Sequence, residues 1–140
     1  MLKSFCELEV WQKAHRLVLE IYRLTDQFPD RERFGIVSQS RRSAASVPAN
    51  IAEGFGRRTT KELLQFLVTA NGSLEEIKYF LILSRDLGYL TEQKFDELDK
   101  ACTSVAQMIA AMGRSLKERA SRIQGSRVAG HGSRNTALNG

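Results

Sequence analysis

Phe95, Leu98, Cys102, Val105, Ile109, Met112 and Leu116 recur at alternating spacings of three and four residues. That period holds one narrow apolar stripe on a helix. It is the pattern of a seam between helices packed side by side, and a strand, whose faces alternate at period two, cannot present it. Thr91 caps this run, and Leu90 with Phe95 is placed as a hydrophobic staple. Three further runs share the period. Leu8, Trp11, Ala14, Leu17 or Val18, Ile21, Thr25 and Phe28 follow a Ser4/Glu7 capping box and stop near Pro29. Asp30 caps a second run that ends at Gly54 or Gly56, where glycine is the usual residue past a helix end. Thr59 with Glu62 opens a third, carried by Leu63, Phe66 or Leu67, Ala70, Leu74, Ile77 and Leu81 and stopped at Gly88. The spacing predicts helices at about 5–27, 31–55, 60–87 and 92–119.

Short connections between long amphipathic helices make neighbours antiparallel, so the expected fold is all-α, an up-down-up-down four-helix bundle over residues 1–119. A chain of 140 residues supports one such domain without disulfide or metal staples. The stretch 120–140, SRIQGSRVAGHGSRNTALNG after its first alanine, is rich in Gly, Ser, Asn and Arg, lacks an apolar period, and is expected to be a disordered basic tail. The third run carries Leu64, Val68, Tyr79, Phe80 and Leu83 outside its main stripe, more apolar surface than one core face uses, which points to self-association. Gly72, inside that run, implies a close helix crossing or a local break.

Charge is unevenly placed. The net value is +5, and residues 31–60 hold six basic and two acidic groups while the tail holds three basic and none acidic. A polyanionic partner would meet those regions first. On a helical wheel the second run has three faces: a core stripe of Val37, Ser40, Ala44, Val47, Ile51 and Phe55; a small-residue stripe of Ala45, Pro48 or Ala49, Ala52 and Gly56; and a polar stripe of Gln39, Arg42, Ser46, Asn50, Glu53 and Arg57. Pro48 removes one backbone donor and is expected to bend the helix. Gly-Phe-Gly-Arg-Arg falls at a helix C-terminus, where the dipole repels anions, so it is not a phosphate-cradling loop. Arg57, Arg58 and Lys61 nevertheless surround the start of the third helix, where they and free amides can hold a backbone phosphate, with Arg41 as a further member. The alternative is that these are solvated linker charges. Gln39, Arg42, Ser46, Pro48, Asn50, Glu53, Leu64, Tyr79 and Phe80 are the candidates for a polar seam or a subunit contact.

Enzymatic chemistry finds little footing. His15 and His131 are the only histidines, no Glu-x-x-His pair exists for a di-metal site, and Glu75 and Glu76 point about 100° apart on a helix. Neither a metal nor a cofactor is expected. Cys6 and Cys102 are read as packing or incidental thiols of a reducing compartment. The N-terminal residues lack a signal-peptide pattern and no stretch is apolar enough to span a bilayer, so a cytoplasmic protein with no membrane partner is expected.

FCELEVWQKAHRLVLEIYRLT, FPDRERFGIVSQSRRSAASVPANIAEGFGR and ANGSLEEIKYFLILSRDLGYL together resemble the small bacterial four-helix-bundle family of 23S rRNA intervening-sequence proteins. The resemblance covers residues 5 to about 118, and its most specific part is the S-x-P-x-N-I-A-E-G-x-x-R core from Ser46 to Arg57. It implies antiparallel bundles assembled into a homopentameric ring. It also implies a likeness in fold to the accessory variability proteins of diversity-generating retroelements, which bind a reverse transcriptase and nucleic acid through a basic pentamer surface. Two functions follow as expectations: a non-enzymatic accessory factor binding RNA or DNA backbone, or an oligomeric scaffold for another protein. The aromatic residues sit at core spacings rather than among the arginines, so nucleic-acid binding is expected to follow backbone charge.

Overall fold

The computed structural model describes residues 2–135, with side chains described through residue 126. The described residues contain four α-helices and no strand: α1 (Glu9–Thr25), α2 (Ser38–Phe55), α3 (Thr60–Asp86) and α4 (Glu92–Asn135). Each contributes to one apolar core in which Ile21, Ile51, Leu74, Ile77, Leu98 and Val105 are fully enclosed. The fourth-helix stripe is buried as its spacing requires at Leu98, Cys102, Val105 and Ile109, with Met112 and Leu116 packed at its margin. A second, smaller cluster of Phe28, Ile36 and Val37 closes one end against Leu24, Leu83, Tyr89 and Leu90.

Local chemistry sets most of the boundaries. Thr59 accepts a hydrogen bond from the Glu62 amide (3.2 Å), and Thr91 one from the Lys94 amide (3.1 Å), each satisfying an otherwise orphaned donor. Gly88 adopts φ +80°, a left-handed conformation that ends α3 at low cost only because glycine has no Cβ, and the Tyr89 amide closes back on the Ser84 carbonyl.

Three boundaries differ from the sequence expectation. Ser4 caps only a 3-10 turn at Phe5–Glu7, because Leu8 is extended (φ −73°, ψ 126°), and α1 starts at Glu9. Phe5 packs edge-on against Trp11, and the Gln12 side chain donates to the Cys6 carbonyl, folding this turn back on α1. The second run is not one helix from residue 31. A 3-10 turn at Asp30–Glu32 and a π-turn at Arg33–Val37 precede α2, with non-helical backbone at Gly35 (φ −107°, ψ −111°). The break therefore falls at Gly35, whereas α2 runs continuously through the buried Pro48. Finally, the segment expected to be a disordered tail from residue 120 is helical through Asn135; residues 136–140 of that expectation lie outside the described residues. No proline interrupts it, Arg122 pairs with Glu118 one turn back, and the side chains from 117 to 126 are exposed except that of half-buried Ala120, so helical continuation there requires no partner face.

α2 makes its most extensive contacts with α3, and glycine sets how closely they approach. A Cβ at Gly54 would lie 2.9 Å from both the Leu63 Cδ1 and the Phe66 Cβ. Leu63 can rotate away, but Phe66 Cβ moves only with its backbone. Gly54→Ala should therefore destabilise the fold by about 1–3 kcal/mol, read as a lower urea midpoint at an unchanged slope; an unchanged midpoint would mean that α3 relaxes freely.

Candidate nucleic-acid interface

Arg41 lies in the second turn of α2, facing the end of α1. Its Nε donates to the Thr25 Oγ1 (2.9 Å), its Nη2 reaches the Asp26 carboxylate (2.8 Å) and the Tyr22 carbonyl (3.3 Å), and the guanidinium covers the Tyr22 ring at 4.5 Å. Thr25, buried, donates its own hydroxyl proton to the Ile21 carbonyl (2.7 Å). Arg41 is thus a clamp between α1 and α2, with its Nε and Nη2 donors engaged in the fold.

Arg57 follows α2 directly and folds back on it. It pairs with Glu53 at 2.8 Å and covers the Phe66 ring at 4.8 Å. Arg58 and Lys61 differ from both. They are exposed beside the start of α3 and belong to no ion pair among the described residues. Of the four cations expected to meet phosphate, two are engaged within the fold and two face solvent.

The polar stripe of α2 divides in the same way. Ser46 and Asn50 belong to a seam with α3: Ser73 Oγ lies 2.9 Å from Ser46 Oγ, and the Asn50 amide donates to the Ser46 carbonyl (2.7 Å) and hydroxyl (2.9 Å). Ser43 extends the seam by donating to Glu76 at 2.8 Å. Gln39 and Glu53 instead accept from Arg42 and Arg57 on their own helix turns. Leu64 packs on the main core and, with Gly113, lines a groove between α3 and α4, so it serves the subunit itself. Phe80 is half-buried beside Tyr79, while Tyr79 is 57% exposed on the same outer side of α3 as Val68 (64%) and Ile82 (41%). Gly72 lies between them. A Cβ there would meet nothing within 4 Å and α3 runs unbroken through it, so among the described residues neither the close crossing nor the local break expected at Gly72 occurs.

A basic and aromatic patch beside the α1–α2 connection is not anticipated by the sequence pattern. Tyr22, Arg33, Phe34, Arg41 and Arg42 line one depression of about 420 Å³. Phe34 is 87% exposed. The available signal is Gly35: a break there lets Phe34 face outward while Ile36 and Val37 turn inward.

No group of three or more metal-ligating side chains exists among the described residues, and no helix there is long and apolar enough to cross a membrane. Cys102 is buried, and desolvation pushes its thiol up to about 12 from an ordinary value of 9.0, with nearby Lys78 opposing this slightly. It therefore stays a neutral packing group.

Four helices around one core, with cations gathered at the ends of the second, define an all-helical protein with a basic surface. The chain belongs to the family of 23S rRNA-intervening sequence proteins, which matches residues 6–111. It is also similar to a protein of unknown function from the S23 ribosomal protein family of Bacteroides thetaiotaomicron, at 20% identity and a TM-score of 0.67, over 74% of this chain and 97% of the other. That likeness is one of fold. No curated protein matches the chain.

The two thiols provide a check on this packing. In native protein at neutral pH a thiol reagent should label Cys6, which is exposed, rapidly and leave Cys102 unlabelled until the protein unfolds. Because the folded state resists ionising Cys102, this group contributes nothing to the pH dependence below about pH 9 and lowers stability as pH rises from there toward 12. Rapid labelling of both thiols would show that the core opens.

Proposed function

We propose that the protein is a non-enzymatic, homo-oligomeric nucleic-acid-binding protein of the cytoplasm, and that its helices alternate in direction within bundles arranged as a ring. The observation that carries this reading is that Arg31, Arg33, Arg42, Arg58 and Lys61 are exposed without an ion pair among the described residues, in a segment where Arg41 and Arg57 are held by carboxylates. Free cations gathered in one segment attract a polyanion through counterion release, and several copies multiply the contacts. The exposed Val68, Tyr79 and Ile82 supply an apolar face that a second copy can cover, and the family resemblance implies five copies. The same face supports a second reading, a scaffold that binds another protein through α3.

Light scattering tests assembly: a multiple of the 15.8 kDa chain mass is expected, and a monomer at micromolar concentration overturns the ring.

Charge variants test binding. Arg58→Gln with Lys61→Gln should weaken RNA and DNA about equally across sequences. The same pair should flatten the dependence of log affinity on log salt by roughly 0.7–0.9 for every phosphate no longer neutralised, with thermal stability unchanged. Arg41→Gln should instead cost about 1–3 kcal/mol of stability, because it takes the donor from the buried Thr25 hydroxyl oxygen and the ion pair from Asp26. Absence of salt-dependent binding by the intact oligomer would leave the scaffold reading.

A further inference from the structure

The geometry points to a stacking site for unpaired bases at the α1–α2 connection, so that the nucleic acid bound here is single-stranded. This rests on the nucleic-acid reading above and narrows it to a ligand class. Phe34 is 87% exposed, and a ring so placed contributes almost no burial to the core. It stands on the π-turn between the Asp30–Glu32 turn and α2, next to Gly35, so its outward course is set by the backbone and not by a loose side chain. The Tyr22 ring lines the same depression from α1 and is 43% exposed. Arg41 orients that ring by lying over it, which makes the aromatic wall part of the α1–α2 clamp.

Cations complete the site. The Arg33 guanidinium lies 5.7 Å from the Phe34 ring centre, and Arg42 is exposed on the next turn of the wall. Neither is in an ion pair among the described residues, whereas Asp26, just past α1, is held by Arg41. Exposed rings interleaved with uncompensated arginines match the recurring arrangement of single-strand binding: bases stack on the rings and phosphates meet the cations. A duplex keeps its bases paired and stacked, so it offers only phosphates to this surface.

The test uses the full-length oligomer and three probes at low salt: an oligothymidylate single strand, a duplex of equal length, and inorganic polyphosphate, which has the charge without the bases. Phe34→Ala should weaken the single strand by about tenfold and leave duplex and polyphosphate binding unchanged, and Phe34→Trp should restore it. Arg33→Gln with Arg42→Gln should weaken all three. In the Phe34→Trp protein the added indole fluorescence should be quenched by the single strand and not by polyphosphate. If Phe34→Ala leaves single-strand affinity unchanged while the charge variants lower it, the stacking site is overturned and the nucleic-acid reading stands. If no nucleic acid binds the wild-type oligomer, both fall. Should Phe34→Ala change the oligomer mass, the ring belongs to a subunit contact and the inference is overturned.

Discussion

The close approach of α2 to α3 governs where the polar groups of this protein can go. Gly54 lets the backbone of α2 come against Leu63 and Phe66, and farther along the same pair of helices Ser43, Ser46 and Ser73 are small enough to sustain the contact. Hydroxyls placed there are shielded from water and must find partners within the seam, where each bond contributes about 1 kcal/mol net and an unmade one would cost more. They do find them: among the described residues no buried polar side-chain atom lacks a hydrogen bond. The motif from Ser46 to Arg57 is therefore first a packing device. Its serine bonds to α3, its asparagine braces that serine within α2, its glycine removes a side chain, and its glutamate holds its arginine.

With the middle of α2 committed to its neighbours, cations can stand free only at its two ends. The same residue type then acquires different roles from its surroundings. Arg41 has a buried threonine, a carbonyl, a carboxylate and a ring within reach, and is fixed. Arg33, on the connection before α2, has only an exposed ring. The distinction is one of available acceptors, since a guanidinium whose donors are already matched gains little by exchanging them for a phosphate.

Much of this is legible in the sequence, because it is a matter of period and cap. The stripe from Leu98 to Ile109 is buried as its spacing demands, and the caps at Thr59 and Thr91 and the stops at Gly56 and Gly88 fall where their residue types place them. Where pattern and structure part, local physics competes. Ser4 and Glu7 satisfy a cap pattern, yet the packing of Phe5 on Trp11 accompanies a separate turn that ends before Glu9. Pro48 reads as the place where the second helix bends, while the non-helical backbone falls at Gly35, just before Ile36 and Val37 of the smaller apolar cluster. The exposure of Phe34 cannot be read from a wheel at all, because a wheel assumes the continuous helix that Gly35 interrupts. Composition alone makes the C-terminal segment a coil, and composition does not register that a helix already propagating from α4 adds each residue without a new nucleation cost.

The spacing of the two free cation groups constrains the ligand further. Arg42 and Phe55, the last residue of α2, are separated along its axis by roughly 20 Å, taking 1.5 Å per residue, with the free Arg58 beyond Phe55 and Arg33 before Arg42. Exposed charges at such a distance are nearly independent at physiological ionic strength, where the screening length is about 8 Å. A small anion could occupy one group and would not sense the other. Only an extended polyanion can engage both ends of α2, and it gains from doing so, because once one end is bound the other contact forms within the complex at high effective concentration. Replication of the subunit would continue the same logic from bundle to bundle, favouring long flexible chains over compact anions.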